Sequence, residues 1–160
     1  MTITEFILAR VAEDEQAARA ATTGPWERTV DEHNGPNDGV DVGIWSDAAE
    51  RYPVESMVIG NRNALADAAH IVRHDPERAL AECAAMREIV GRLAQAERLC
   101  EANAEEHAKA SRGGLANQEQ ITALRTHGWE LRGRREALRY VVDVLAAIWS
   151  DHPDYDEGWR

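Results

Sequence analysis

Lysine is nearly missing from this chain: of eighteen basic residues only Lys109 is a lysine, a bias that points to a GC-rich genome rather than to a function. Cysteine is scarce too. Cys83 and Cys100 are the only two, with no CxxC pair, which fits neither a zinc knuckle nor a disulfide framework, so both are expected as small core residues. Long apolar runs are absent. The longest, VVDVLAAIW from Val141 to Trp149, is too short for a bilayer and is interrupted by Asp143. The opening MTITEFILARVAEDE carries acids where a secretory leader needs bases, and the chain is therefore placed in the cytoplasm, the host's if phage-encoded. Catalytic signatures are missing as well. Ser46, Ser56, Ser111 and Ser150 lie in no GxSxG elbow, neither cysteine has a basic setting, and SRGGLANQ lacks the lysine and strand of a phosphate loop.

What is present suits one folded domain over 1–160. At this length a chain buries roughly two thirds of the surface it exposes when unfolded, and 44% apolar with 29% charged residues argues against global disorder. The net charge of -11 is uneven: residues 1–60 hold four Arg against twelve Asp and Glu, whereas 111–150 hold six Arg against four acids. Acidity on this scale repels nucleic acid at long range, so nucleic acid is not expected as a partner.

Periodicity supplies the architecture. Thr2 with Glu5 three residues on makes a capping box, and Ile7, Leu8, Val11 and Ala18 follow helical spacing, which predicts a helix over 2–22. Gly24-Pro25 ends it. WERTV, GVDVGIW and VESMVI are short β-prone runs separated by turn formers, a β region over 26–59. Helices are then expected at 63–74, 76–110, 117–126 and 130–150, with a polar tail at 151–160. In the last helix Leu131, Leu138, Val141, Val142, Leu145, Ile148 and Trp149 form the clearest core stripe. The fold class that follows is α+β and predominantly helical, a helical bundle with a small antiparallel β-hairpin or three-stranded meander.

The segment HIVRHDPERAL invites two readings. His70 and His74 stand at the i, i+4 spacing that zinc helices use, with His152, Asp154 or Glu13 as a borrowed third ligand for a metal-dependent hydrolase. A looser variant pairs His74-Asp75 with His33 and Asp143, as in HD-type phosphohydrolases. The architectural reading is simpler: Asp75 caps a helix, Pro76 fills the first helical position where no amide donor is needed, and Glu77 sits near the positive end of the dipole. On that reading the catalytic and metal sites are empty lists, and no cofactor is expected.

The longer block HIVRHDPERALAECAAMR, from His70 to Arg87, resembles the signature HIxRHDPxRxLxExxAxR of an uncharacterised family of small actinobacterial and actinophage proteins, a domain of unknown function. FILARVAEDEQAARA and DHPDYDEGW fit the same family, so the likeness frames nearly the whole chain. Many relatives look shorter and several carry cysteines before the last helix; none stands there in this chain. The resemblance implies a phage or high-GC bacterial source and no assigned activity.

The function expected is that of a non-enzymatic accessory protein that binds a host or phage protein, or itself as a homo-oligomer, without a membrane. The alternatives are the hydrolase above and an acidic DNA mimic that inhibits a host nucleic-acid-binding protein. Five tryptophans exceed what one small core needs, and Trp45, Tyr155 and Trp159 are the expected contact anchors. Arg132 and Arg135, in a stripe with Arg139, are the expected charged contacts. The spacing Cys83, Met86, Val90, Leu93 offers a seam that could pair two copies.

Overall fold

The computed structural model describes residues 1–33, 39–57, 63–112 and 118–159. It is α+β and predominantly helical: helices α1 (Ile3–Ala20), α2 (Ala64–Arg73), α3 (Pro76–Arg112) and α4 (Gln118–Ala146), and strands β1 (Trp26–His33), β2 (Gly39–Ser46) and β3 (Arg51–Met57). Contacts within the chain gather into two compact units, a helical unit of 1–10 with 85–160 and a sheet unit of 11–84.

In the sheet unit the strands form an antiparallel meander in the order β1-β2-β3. β1 and β2 pair in regular register from Trp26 with Ser46 to His33 with Gly39. The β2–β3 ladder slips twice, and Pro53, which has no amide hydrogen to give a ladder, sits in this edge strand between the Ser46–Arg51 and Ile44–Val54 pairs. Period-two alternation sends Val42 and Ile44 to one face, where both are fully buried against Ala64 and Ala68 of α2, with Trp26, Val54, Ile71 and Val72 closing the edges. A small sheet is marginal by itself, and α2 supplies the apolar cover that it lacks. Ser46 follows on the same face, and its buried hydroxyl donates to the Thr23 carbonyl and accepts the Ala49 amide, so no polar atom is stranded there.

The helical unit is built on length. Within it α4 runs back along α3, with Asn103 and His107 beside Leu124 and Gly128 at one end and Leu93 and Glu97 near Arg139 and Asp143 at the other. Val90, Leu93 and Ala96 of α3 and Leu131, Val142 and Ala146 of α4 are buried. After α4 the chain turns tightly through 3-10 turns at Ala147–Trp149 and Glu157–Trp159. These bring Trp149, Tyr155 and Trp159 edge-on or tilted around Phe6, at ring distances of 6.5, 6.0 and 5.1 Å. Phe6 is completely buried.

Two expectations change. Helices at 117–126 and 130–150 are one helix, Gln118–Ala146. A lone Gly128 costs about 1 kcal/mol in a helix but does not end it without a partner for the freed carbonyls, and here it lies buried where a Cβ would come 2.6 Å from Asn103 Oδ1. The other change concerns the stripe of the last helix: Val141 and Ile148 are exposed, not core. The stretch 101–111 continues α3, as the helix expected over 76–110 requires, although it carries nothing larger than alanine to bury along most of its length. The turn formers at 34–38 and residue 117, where a helix was expected to begin, lie outside the described residues, as does the side chain of His33.

Candidate interaction surface

The segment that raised the metal question is a junction of helices in the sheet unit. α2 ends at Arg73, and the His74 amide donates to the Ile71 carbonyl at 3.0 Å. Asp75 is almost wholly buried; its Oδ1 accepts the Arg78 amide at 2.8 Å, and its carbonyl takes the first helical bond, from Ala79. Pro76 is the first residue of α3. Gly24 faces this cap, and a Cβ on it would come 2.9 Å from Asp75 Oδ2. Arg78 pairs with Glu82 one turn on, on the same helix. The rings of His70 and His74 lie 4.6 Å apart, both residues exposed. Among the described residues no group of three or more His, Cys, Asp or Glu stands together as a metal site.

The remaining candidate ligands have other neighbours. In the helical unit His152 packs against Phe6 and meets the Arg10 guanidinium, while its Nδ1 accepts the Asp154 amide at 3.1 Å. Arg10, nearly buried, stacks over Phe6 and lies 4.0 Å from the Asp154 carboxylate. The Tyr155 hydroxyl is shielded without a hydrogen-bond partner.

The aromatic residues nominated as contact anchors turn to their own chain. Trp45 is half-buried, edge-on to Tyr52 at 4.8 Å, and its indole N–H donates to Asp47. Tyr155 and Trp159 are half-buried around Phe6. Arg132 and Arg139 are exposed and Arg135 half-buried, lining with Glu97 and Glu101 a shallow cleft of about 340 Å³. The seam Cys83, Val90, Leu93 is buried in the chain and is not available for pairing copies.

Sequence reasoning missed a different surface. α4 carries two apolar seams side by side. The inner one, Leu131, Leu138, Val142, Leu145 and Trp149, is buried or half-buried. The outer one runs Ala137, Val141 and Val144, in the steps of four and three of a coiled-coil seam, and Ile148 extends it in the 3-10 turn that follows α4. Val141 is 40% exposed, Val144 55%, Ile148 57% and the adjoining Tyr140 71%. Beside this seam a cleft of about 740 Å³ opens between α3 and α4, floored by Gly91, Ala96, Ala137 and Leu138 and rimmed by Glu88, Arg92 and Arg134. Further along, Trp129 is 60% exposed under Arg125. The signal was present in the sequence: counted with Tyr140 and Val144, the apolar positions of this helix sweep more than half its circumference at 100° per residue, wider than one core-facing stripe requires.

The described residues form a helical α+β protein with an exposed apolar helix face beside an open cleft, and no group of three or more potential metal ligands stands among them. The model of a family of unknown function, DUF6221, matches residues 1–160, and the chain belongs to that family. No curated protein and no solved structure matches it. No helix among the described residues is long and apolar enough to cross a membrane.

Proposed function

We propose that this chain is a small non-enzymatic accessory protein of a phage or an actinobacterium, acting in the cytoplasm by binding another protein. The observation that carries the reading is the outer seam of α4: Val141 and Val144, 40 and 55% exposed at coiled-coil spacing, continued by Ile148 and flanked by Tyr140, next to a cleft of about 740 Å³. Leaving such a stripe in water forgoes on the order of 25 cal/mol for each Å² of apolar surface, and a partner helix would recover it. The histidine junction serves architecture, since the Asp75 carboxylate is committed to the Arg78 amide.

The test uses the full chain as bait in lysate of a high-GC host, beside a Val144→Glu variant of unchanged helix content. A protein retained by the wild type and lost with Val144→Glu is the expected result. Equal retention by both, or a metal-dependent hydrolysis abolished by His74→Ala, overturns the reading.

A further inference from the structure

Resting on the protein-binding reading, we infer that the outer seam of α4 and the α3–α4 cleft dock a second copy of this chain in a two-fold, helix-on-helix dimer. Three observations select that occupant.

The first is charge. A chain of net charge -11 repels its own copy over most of its surface. The docking face is the exception: its cleft is rimmed by one acid, Glu88, and two bases, Arg92 and Arg134, with Gln95 between them and the apolar seam alongside. Arg92 already holds Glu88, with Nε to Oε1 at 3.0 Å, so this rim presents no strong field of either sign. A basic partner would have no reason to prefer this face to the acidic remainder. This rim, one acid with two bases, is where a second acidic chain meets no net negative charge.

The second is shape. The same face offers both the knobs and the hole: Val141 and Val144 project from α4 and Ile148 from the turn after it, and the cleft beside them is lined by Gly91, Ala96 and Ala137 together with Leu99 and Leu138. Two copies related by a two-fold can each lay the projecting seam against the other's cleft, which turns an α3–α4 pair into a four-helix arrangement.

The third is glycine. Gly91 and Gly133 lie within α3 and α4, where each weakens its helix by roughly 1 kcal/mol relative to alanine. A Cβ at either position would meet nothing within 4 Å, so no contact inside the chain requires them. Gly91 lines the cleft, and Gly133 stands one position before Arg134 on its rim. Both leave backbone open on the face where another helix would approach.

The experiment is sedimentation or light-scattering mass of the full chain over a range of concentrations, for the wild type, Val144→Glu and Gly91→Trp, with helix content followed in parallel. The wild type should reach twice the single-chain mass of 17.8 kDa. Both variants should return to the single-chain mass with unchanged helicity, one by charging the seam and the other by filling the cleft. A wild type of single-chain mass at all concentrations, a dimer indifferent to both substitutions, or an open-ended assembly overturns the inference. A monomeric wild type whose captured partner is still lost with Val144→Glu overturns self-pairing alone and leaves the protein-binding reading intact.

Discussion

In the sheet unit the core residues match the faces available to bury them: Val42 and Ile44 meet Ala64 and Ala68, and the bulkier Trp26, Val54 and Ile71 seal the margin, while Val30, Tyr52 and Leu65 stay 40 to 45% exposed. In the helical unit they do not match. α4 buries Leu131, Val142 and Ala146 on one side and leaves Val141 and Val144 in water on the adjacent side, with Ile148 of the following turn exposed as well. The first pattern is what a chain does when it stabilises itself; the second leaves surface over for something else. Surplus, rather than apolarity as such, marks the candidate interface.

The largest expected effect tests the inside of the helical unit. Phe6 is completely buried among Trp149, His152, Tyr155 and Trp159, and Phe6→Ala should cost about 3–5 kcal/mol in denaturant unfolding. Val144→Ala, on the outer seam, should stay within about 0.5 kcal/mol for the monomer. Comparable losses at the two positions would erase the distinction between inner and outer faces. In the sheet unit Ile44→Ala should cost about 2–5 kcal/mol, and because α1 and α3 each continue through both units, the loss should appear as a lower midpoint of one transition. Two separated midpoints would break the expectation of a single cooperative domain.

A smaller effect belongs to the junction. Asp75→Ala removes the oxygen that accepts the Arg78 amide and should cost about 1 kcal/mol. Asp75→Asn, which keeps an acceptor, should recover most of it. An Asp75→Ala variant as stable as the wild type would show that the N-terminus of α3 is satisfied without its cap. Gly133→Ala has the opposite sign: with open space around its Cβ it should stabilise the chain by about 0.5–1 kcal/mol, measured as a raised unfolding midpoint under conditions where the protein is monomeric.

Local chemistry could be read from the sequence, and tertiary surplus could not. The Thr2–Glu5 box and the meander, with its turn formers between β-prone runs, need only neighbours a few residues away. The continuity of α4 was missed at 127–129, the gap between the two expected helices, where Gly128 makes a close approach to Asn103 across the helix pair. The tail was read as polar with two aromatics able to go either way; only the placement of Phe6 decides that Tyr155 and Trp159 turn inward. Val141 and Ile148 were counted with the core because each is adjacent in sequence to an inner residue, Val142 and Trp149. A rotation of 100° between neighbours separates a buried seam from an exposed one, and periodicity alone does not say how much of a wide apolar arc the rest of the chain will cover.

The smallest effect lies at the start of α1, where the reciprocal capping box is in place: the Thr2 amide donates to Glu5 Oε2 at 2.7 Å and the Glu5 amide to the Thr2 hydroxyl oxygen at 3.2 Å. The Thr2 backbone N–H, followed by its hydroxyl and the amino terminus, stabilises the ionised carboxylate and holds the Glu5 pKa below its ordinary value. A depressed folded pKa contributes stability that is present above the unfolded value of about 4.3 and is lost as pH falls through the folded one. Wild type should therefore exceed Glu5→Gln in stability near neutral pH, and the gap should narrow below about pH 4.3. The carboxyl is fully exposed, so the gap should also shrink with added salt. A Glu5 carbon resonance titrating at the ordinary glutamate value would show that the Thr2 bonds do not persist in solution, and would leave the helix start to the Thr2 hydroxyl alone.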